Sequence, residues 1–150
     1  FEDDTTLDAL TESVTTGAAA LDVATKITDL EATDVVNVAG LSLTSDGGYY
    51  EGAAASLTAA TEYQVIVLTG ASYTSSTTAA DAIDAVYTGT DTDSQVFVYL
   101  DSTKGHAVMT HDSNIHVDGA GTLNDIVEFT NITSLTDLAS TLSTDSFVVA

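Results

Sequence analysis

The chain has 150 residues, with 23 Asp and Glu against two Lys and Arg in total, a formal net charge of −21. Both cations are lysines, Lys26 and Lys104, and there is no cysteine. Such a surface lacks the Lys and Arg needed to neutralise phosphate, which excludes nucleic acid and anionic membrane as partners. Absent cysteine excludes disulfides, thiolate metal sites and cysteine nucleophiles.

Hydrophobic residues still make up 44% of the chain, so a core can be buried in what length suggests is one domain. Aromatics are only 7%, and the apolar share is mostly Ala, Val, Leu and Ile, alongside abundant Thr. That composition favours thin, strand-rich layers. Acidity this extreme attracts cations and repels copies of the same chain, unless salt shortens the Debye length to roughly 3 Å near molar ionic strength. It suits a calcium-rich or seawater-like medium outside the cell. No run of about 18 apolar residues offers a membrane-spanning helix. The sequence opens on Phe1 without a basic stretch followed by an apolar one, so a processed chain or a piece of a longer protein is expected.

In chain order, residues 1–25 are polar with scattered apolar positions and read as an N-terminal arm or assembly segment. Residues 26–150 read as a single β-rich domain. Within it, Ile27, Leu30, Val35, Val36, Val38, Leu41 and Leu43 suggest strands, and "SDGG" (45–48) a turn. "EYQVIVLTG" (62–70) is the clearest strand. "SSTTAADAIDAVYTG" (75–89) is the clearest helix, Ala-rich, capped by Ser or Thr and closed by Gly89. "SQVFVYLDSTKGHAVMTHDSN" (94–114) reads as a hairpin over the turn "DSTKG". Its apolar face is expected on the Ala-rich helix and its carboxylates outward. "NDIVEFTNI" (124–132) is another strand, and "SLTDLASTLS" (134–143) a short C-terminal helix with Ser134 and Asp137 at capping spacing. The expected fold is mainly β (α+β): a β-sandwich-like sheet domain with one Ala-rich helix and one short C-terminal helix.

Two passages carry a resemblance. "ITDLEATDVVNVAGLSL" (27–43) is similar to the segment that closes the calcium-binding repeats of type I-secreted RTX proteins. The run from "YQVIVLTGASYTSS" through "VFVYLDSTKGHAVMTHDSN" to "LNDIVEFTNITSLTDLASTLSTDSFVV" resembles the C-terminal region of RTX-like bacterial surface-layer and adhesin proteins. The likeness spans roughly residues 27–150. It departs from the family where the glycine-rich nonapeptide G-G-x-G-x-D-x-U-x should stand, because "GAGTLNDIV" (119–127) has its Asp displaced by one. One loose copy builds no stacked calcium roll. The resemblance implies type I export, with "LASTLSTDSFVVA" in the signal position, and surface display without enzymatic activity.

For metal, calcium is the ion the composition suits, since it takes 6–8 oxygen ligands. The candidate ligands are Asp91 and Asp93 in "TDTDS", Asp101 in the hairpin turn, and Asp112, Asn114 and Asp118 in "HDSNIHVDG". The spacing is not that of an EF-hand, and ordinary solvated loops account for any single one of these carboxylates. His106, His111 and His116 are five apart, so along a strand they alternate faces and do not converge on zinc. No serine sits in a nucleophile context. Tyr49–Tyr50 is the one aromatic pair that could stack on a sugar, with core packing as the competing role. Asn131 in "NIT" is a formal glycosylation acceptor of a kind common by chance.

The chain is therefore expected to be a secreted, extracellular structural protein and not an enzyme: a self-assembling subunit of a surface layer or filament, with calcium as the candidate stabilising ion. Its partner would be itself, through N-terminal strand addition to a neighbour's sheet edge. The alternative is a C-terminal export or adhesin module of a larger type I-secreted surface protein.

Overall fold

The computed structural model describes residues 25–88, 93–115 and 123–149. The arm expected over residues 1–25 lies outside them, except that Thr25 opens the first strand. The strands are β1 (Thr25–Ile27), β2 (Val36–Asn37), β3 (Gly47–Gly52), β4 (Tyr63–Tyr73), β5 (Gln95–Asp101), β6 (His106–Asp112), β7 (Leu123–Phe129) and β8 (Phe147–Val148). The helices are α1 (Ser76–Asp84) and α2 (Leu135–Thr141).

Six strands form one mixed sheet in the order β1-β7-β6-β5-β4-β3, and β2 pairs with β8 in a second sheet of two. The mainly β, α+β class holds. The sandwich is not confirmed, because the second sheet is two residues deep and the main sheet is covered chiefly by helices and loops. One half of the main sheet is parallel: β3 with β4, and β4 with β5. The other half, β5-β6-β7, is an antiparallel meander.

This division is written in the sequence. In β4, Val65, Ile66, Val67 and Leu68 are all buried, as are Val96 to Tyr99 in β5. Such unbroken apolar runs belong to strands covered on both faces. Val65, Val67, Val96, Val98 and Met109 pack on one side with Leu138 of α2, Leu142 and Phe147. Ile66, Leu68, Phe97, Tyr99 and Val108 pack on the other with Ala79 and Ile83 of α1. The expected contact between hairpin and Ala-rich helix is present, but the hairpin has a second apolar face that the sequence reading did not foresee.

Both helices start where their caps place them. The Ser75 side chain accepts from Thr78 N and Thr78 Oγ1 accepts from Ser75 N, a reciprocal capping pair. Ser134 accepts from Asp137 N at 3.0 Å. The strand expected over 62–70 runs on to Tyr73, through a register shift between Leu68 and Ser72. Gly70 sits where a side chain cannot, since a Cβ there would lie 2.7 Å from Ala53 Cα. The turn read at 45–48 is partly strand, because Gly47 and Gly48 already belong to β3. Much of 27–43 is irregular, yet Leu30, Val36 and Val38 reach the core as their apolar character required.

Candidate functional site: two ends of one hairpin face

The β5-β6 hairpin positions the polar chemistry of the molecule. Its register pairs Gln95 with Asp112, Phe97 with Thr110, Tyr99 with Val108 and Asp101 with His106. Strand alternation sets all eight side chains on the face that meets α1. β7 adds Glu128 opposite Val108, Asp125 opposite Thr110 and Leu123 opposite Asp112.

At the closed end, Asp101 is 2% exposed. Its Oδ1 accepts the backbone N–H groups of Thr103 at 2.8 Å and Lys104 at 2.9 Å, and Tyr99 Oη donates to Oδ2 at 3.4 Å. Gly105, at φ 79°, supplies the left-handed residue that closes the turn, and its N–H donates to Asp101 O at 2.8 Å. Ser102 and Thr103 fasten this turn to the Tyr73 and Thr74 carbonyls at the end of β4. Burial, with the Asp125 and Asp101 charges, pushes the Tyr99 phenol far above its ordinary pKa, so it stays a neutral donor.

Beside that turn, both lysines of the chain converge on one carboxylate. Lys104 Nζ lies 2.9 Å from Glu128 Oε1 and 3.2 Å from Asp125 Oδ2. Lys26 Nζ, on β1, lies 3.3 Å from Glu128 Oε2. His106 Nε2 is 3.4 Å from the same oxygen, without hydrogen-bond geometry. Thr110 Oγ1 donates to Asp125 Oδ1 at 2.7 Å. The hydrogen bond from Lys104 holds Glu128 below the usual carboxylate range; burial opposes this and Lys26 adds to it. For Lys104, partial burial pulls the pKa down, and Glu128 and Asp125 outweigh it, leaving the ammonium above its ordinary value. The network ties β1, the hairpin turn and β7 together, and it uses every fixed positive charge the chain has.

At the open end, Asp112 is 4% exposed and its Oδ1 accepts the N–H of Asn114 at 3.0 Å. Gln95, across from it, is 1% exposed, and its Oε1 has no hydrogen-bond partner among the described residues. The Asp93 carbonyl accepts from Ile115 N at 3.1 Å, which closes the loop ends against each other.

The calcium candidates therefore separate. Asp91 and Asp118 lie outside the described residues. Asp93 faces an open cleft of about 490 Å³ that it shares with Asp46 and Glu62. Asp101 and Asp112 sit at opposite ends of the hairpin. The expectation that the hairpin's carboxylates point outward is corrected for these two: both are buried, because strand parity places them on the face that packs under α1. Among the described residues, no three His, Cys, Asp or Glu side chains converge as a metal-binding group.

His106 and His111 fall on opposite faces, as their spacing required, and His116 is outside the described residues. Burial lowers the His111 pKa, against a smaller upward pull from Asp112. Tyr49 and Tyr50 are packed and not presented as a platform. The Tyr49 ring lies 6.0 Å from Phe147, and the Tyr50 ring 5.1 Å from Tyr63. Asn131 is engaged at both ends of its amide by the Leu30 backbone. The Gln95 oxygen and the Glu128 hub were missed in the sequence. The signal for the hub was the count of cations, since two lysines among so many carboxylates must each find a partner. No helix among the described residues is long and apolar enough to cross a membrane. Compared with protein-family models, curated proteins and solved structures, the chain matches none.

Proposed function

We propose that the chain is a secreted, non-enzymatic structural protein, a subunit that assembles with its own copies into a surface layer or filament once cations screen its acidic exterior. The observation that carries this reading is the Glu128 hub. With Lys26 and Lys104 both committed to carboxylates of the same chain, no fixed positive charge remains to attract an anionic substrate, nucleic acid or lipid headgroup. What such a surface recruits from solution is cations, and calcium is the abundant hard divalent ion of extracellular media.

The sheet offers routes for assembly. Among the described residues it ends in β1 on one side and β3 on the other. β1 covers only Val127, Glu128 and Phe129 of β7. Thr25, the first described residue, stands at that edge, and strand addition between copies there would extend the sheet. The sequence resemblance to RTX-like surface proteins supports the same setting.

Electron microscopy of the purified chain with calcium and with chelator tests this. Ordered polymers that dissolve in chelator are expected. Monomers under both conditions would sink the assembly reading. They would leave the second one, an export or adhesin module of a larger type I-secreted protein. That alternative draws on the exposed Val148 and Val149, which leave an apolar C-terminal segment on a polar surface.

A further inference from the structure

Among the described residues, the two edges of the main sheet differ in character. β1 presents the exposed Lys26, and a lysine is one of the devices that keep an edge strand from pairing with other chains. β3 reads GGYYEG, with neither lysine nor proline, and its pairing with β4 keeps one register throughout. The Gly47 N–H donates to Glu62 O at 2.7 Å, which fixes the parity of the strand. Gly47, Tyr49 and Glu51 turn their main-chain groups towards β4, so those of Gly48, Tyr50 and Gly52 point away from it. Among the described residues no strand lies on that side, and no turn, loop or cap bonds these three main-chain groups. Gly48 is exposed, and a Cβ there would meet nothing within 4 Å. Glycines within a strand mark places where another backbone can come close.

We propose that the β3 edge is the acceptor for a strand from a second copy of this chain, drawn from "SVTTGAAAL" (13–21) in the segment that leads into β1. That run carries no charge, whereas residues 1–12 hold five acids that a surface this acidic repels. Its small side chains suit an edge lined by glycine. The run cannot reach the β3 edge of its own chain directly. β1 and β3 stand five strand spacings apart, roughly 24 Å at about 4.8 Å each. From residue 21 to Thr25 an extended chain covers at most about 14 Å. Donor and acceptor therefore belong to different copies. Each copy has a donor leaving beside β1 and an acceptor at β3, on opposite sides of the sheet, so the contact is head-to-tail and open-ended. Main-chain hydrogen bonds supply it, and it needs no positive charge. This contact rests on the assembly reading above and gives the polymer a direction.

The test is electron microscopy and non-reducing gels of the full chain with calcium. Gly48→Pro removes an N–H that points away from β4 and sets a proline where edge strands tolerate one, so the fold should survive. This variant is expected to melt as the native chain does and to form no polymers. Gly48→Ala keeps the N–H, and its polymers should persist. The chain has no cysteine, so introduced ones report the contact without background. Gly48→Cys is mixed with chains carrying one cysteine at each position from 13 to 21 in turn. Adjacent strands hold their Cα atoms about 4.5–5.5 Å apart, within disulfide reach. Disulfide-linked pairs of chains are expected at every second position, because only one parity shares the face of Gly48.

Polymers of Gly48→Pro equal to those of the native chain would overturn the β3 edge as acceptor and leave assembly standing. Links of Gly48→Cys to itself would do the same, since β3 would then pair with β3 of a second copy. Links spread evenly over residues 13–21 would overturn that run as the donor strand. If Gly48→Pro fails to melt cooperatively, the cysteine links alone decide: alternate positions uphold the contact, and their absence overturns it. A native chain that stays monomeric with calcium and forms no such links removes this contact and the assembly reading together.

Discussion

Asp101 and Asp112 are two buried carboxylates on one face of one hairpin, and they are held at its closed and open ends by different segments of chain. Asp101 is answered from within: two turn N–H groups and a tyrosine hydroxyl saturate it, and Lys104 sits on the adjacent network. Asp112 has an N–H from Asn114 on one oxygen and lies across from an amide oxygen that nothing described satisfies. The tight turn explains the difference. A hairpin's closed end brings its own backbone donors to the carboxylate, and its open end diverges into loops. A buried acid at a turn is held by the backbone of that turn, whereas one at strand ends is held by the loop that follows it.

The largest expected effect removes both ends together. Val98 lies between them, fully buried on the opposite face. Val98→Asp puts an unpaired charge in the core, which exceeds the marginal stability of about 5–15 kcal/mol typical of domains. Circular dichroism should show no cooperative melt, and a soluble, cooperatively folding variant would contradict the two-faced packing of the hairpin.

Next in size is Asp101→Ala. It strands two backbone donors and the Tyr99 hydroxyl, at about 1–3 kcal/mol for each unsatisfied group, so a loss of roughly 3 kcal/mol or more is expected. The denaturant midpoint should drop by the same amount with calcium or with chelator. A loss that differed between the two conditions would contradict the turn's own hydrogen bonds as its cause.

Glu128→Gln is smaller, because Lys26 is 63% exposed and solvent screens its pair. Exposed pairs contribute about 0.2–1 kcal/mol each. The pH profile is more telling than the size. Glu128 has a depressed pKa, so its contribution is present above the unfolded value of about 4.3 and is lost as pH falls through the lower folded value. Lys104 has a raised pKa, so its contribution is present below about 10.4 and is lost as pH climbs past the folded value. Urea midpoints across pH should show both limbs in the native chain, and flattened ones in Glu128→Gln.

The smallest is His111. Its pKa is lowered by burial, so the folded state favours the neutral ring. That preference is fully present above about 6.5 and is eroded as pH falls towards the folded value. His111→Gln should remove this shallow slope and leave the acid limb of Glu128 in place.

The sequence made the local elements legible. Ser75 and Ser134 announce their helices, the alternation through Val96 to Met109 announces the hairpin, and "DSTKG" its turn. Burial of Asp101 and Asp112 was not legible by residue type, because charged residues are almost always outside. Parity along the strands held the answer, since each lies on the Phe97-Tyr99 face. The edge strand β3 was obscured by its glycines, and the parallel pairing of β1 with β7 by distance. No local pattern in "TKI" says which strand it will join. The burial of Gln95 was not legible because an amide at the start of an apolar strand reads as an ordinary boundary residue.

That last pairing bears on when the molecule can finish folding. Ile27 O receives Thr130 N at 2.8 Å, and Leu30 N donates to Asn131 Oδ1 across 101 positions of chain. The other small sheet closes the same way, Val36 against Phe147. Closing loops near a hundred residues costs about (3/2)RT ln n, roughly 4 kcal/mol beyond the constant term. Contacts of such separation are made slowly and late. During synthesis, the β4-α1-β5-β6 body can form while β1 and β2 wait for β7 and β8. Folding is thereby timed by the arrival of the last-made strands.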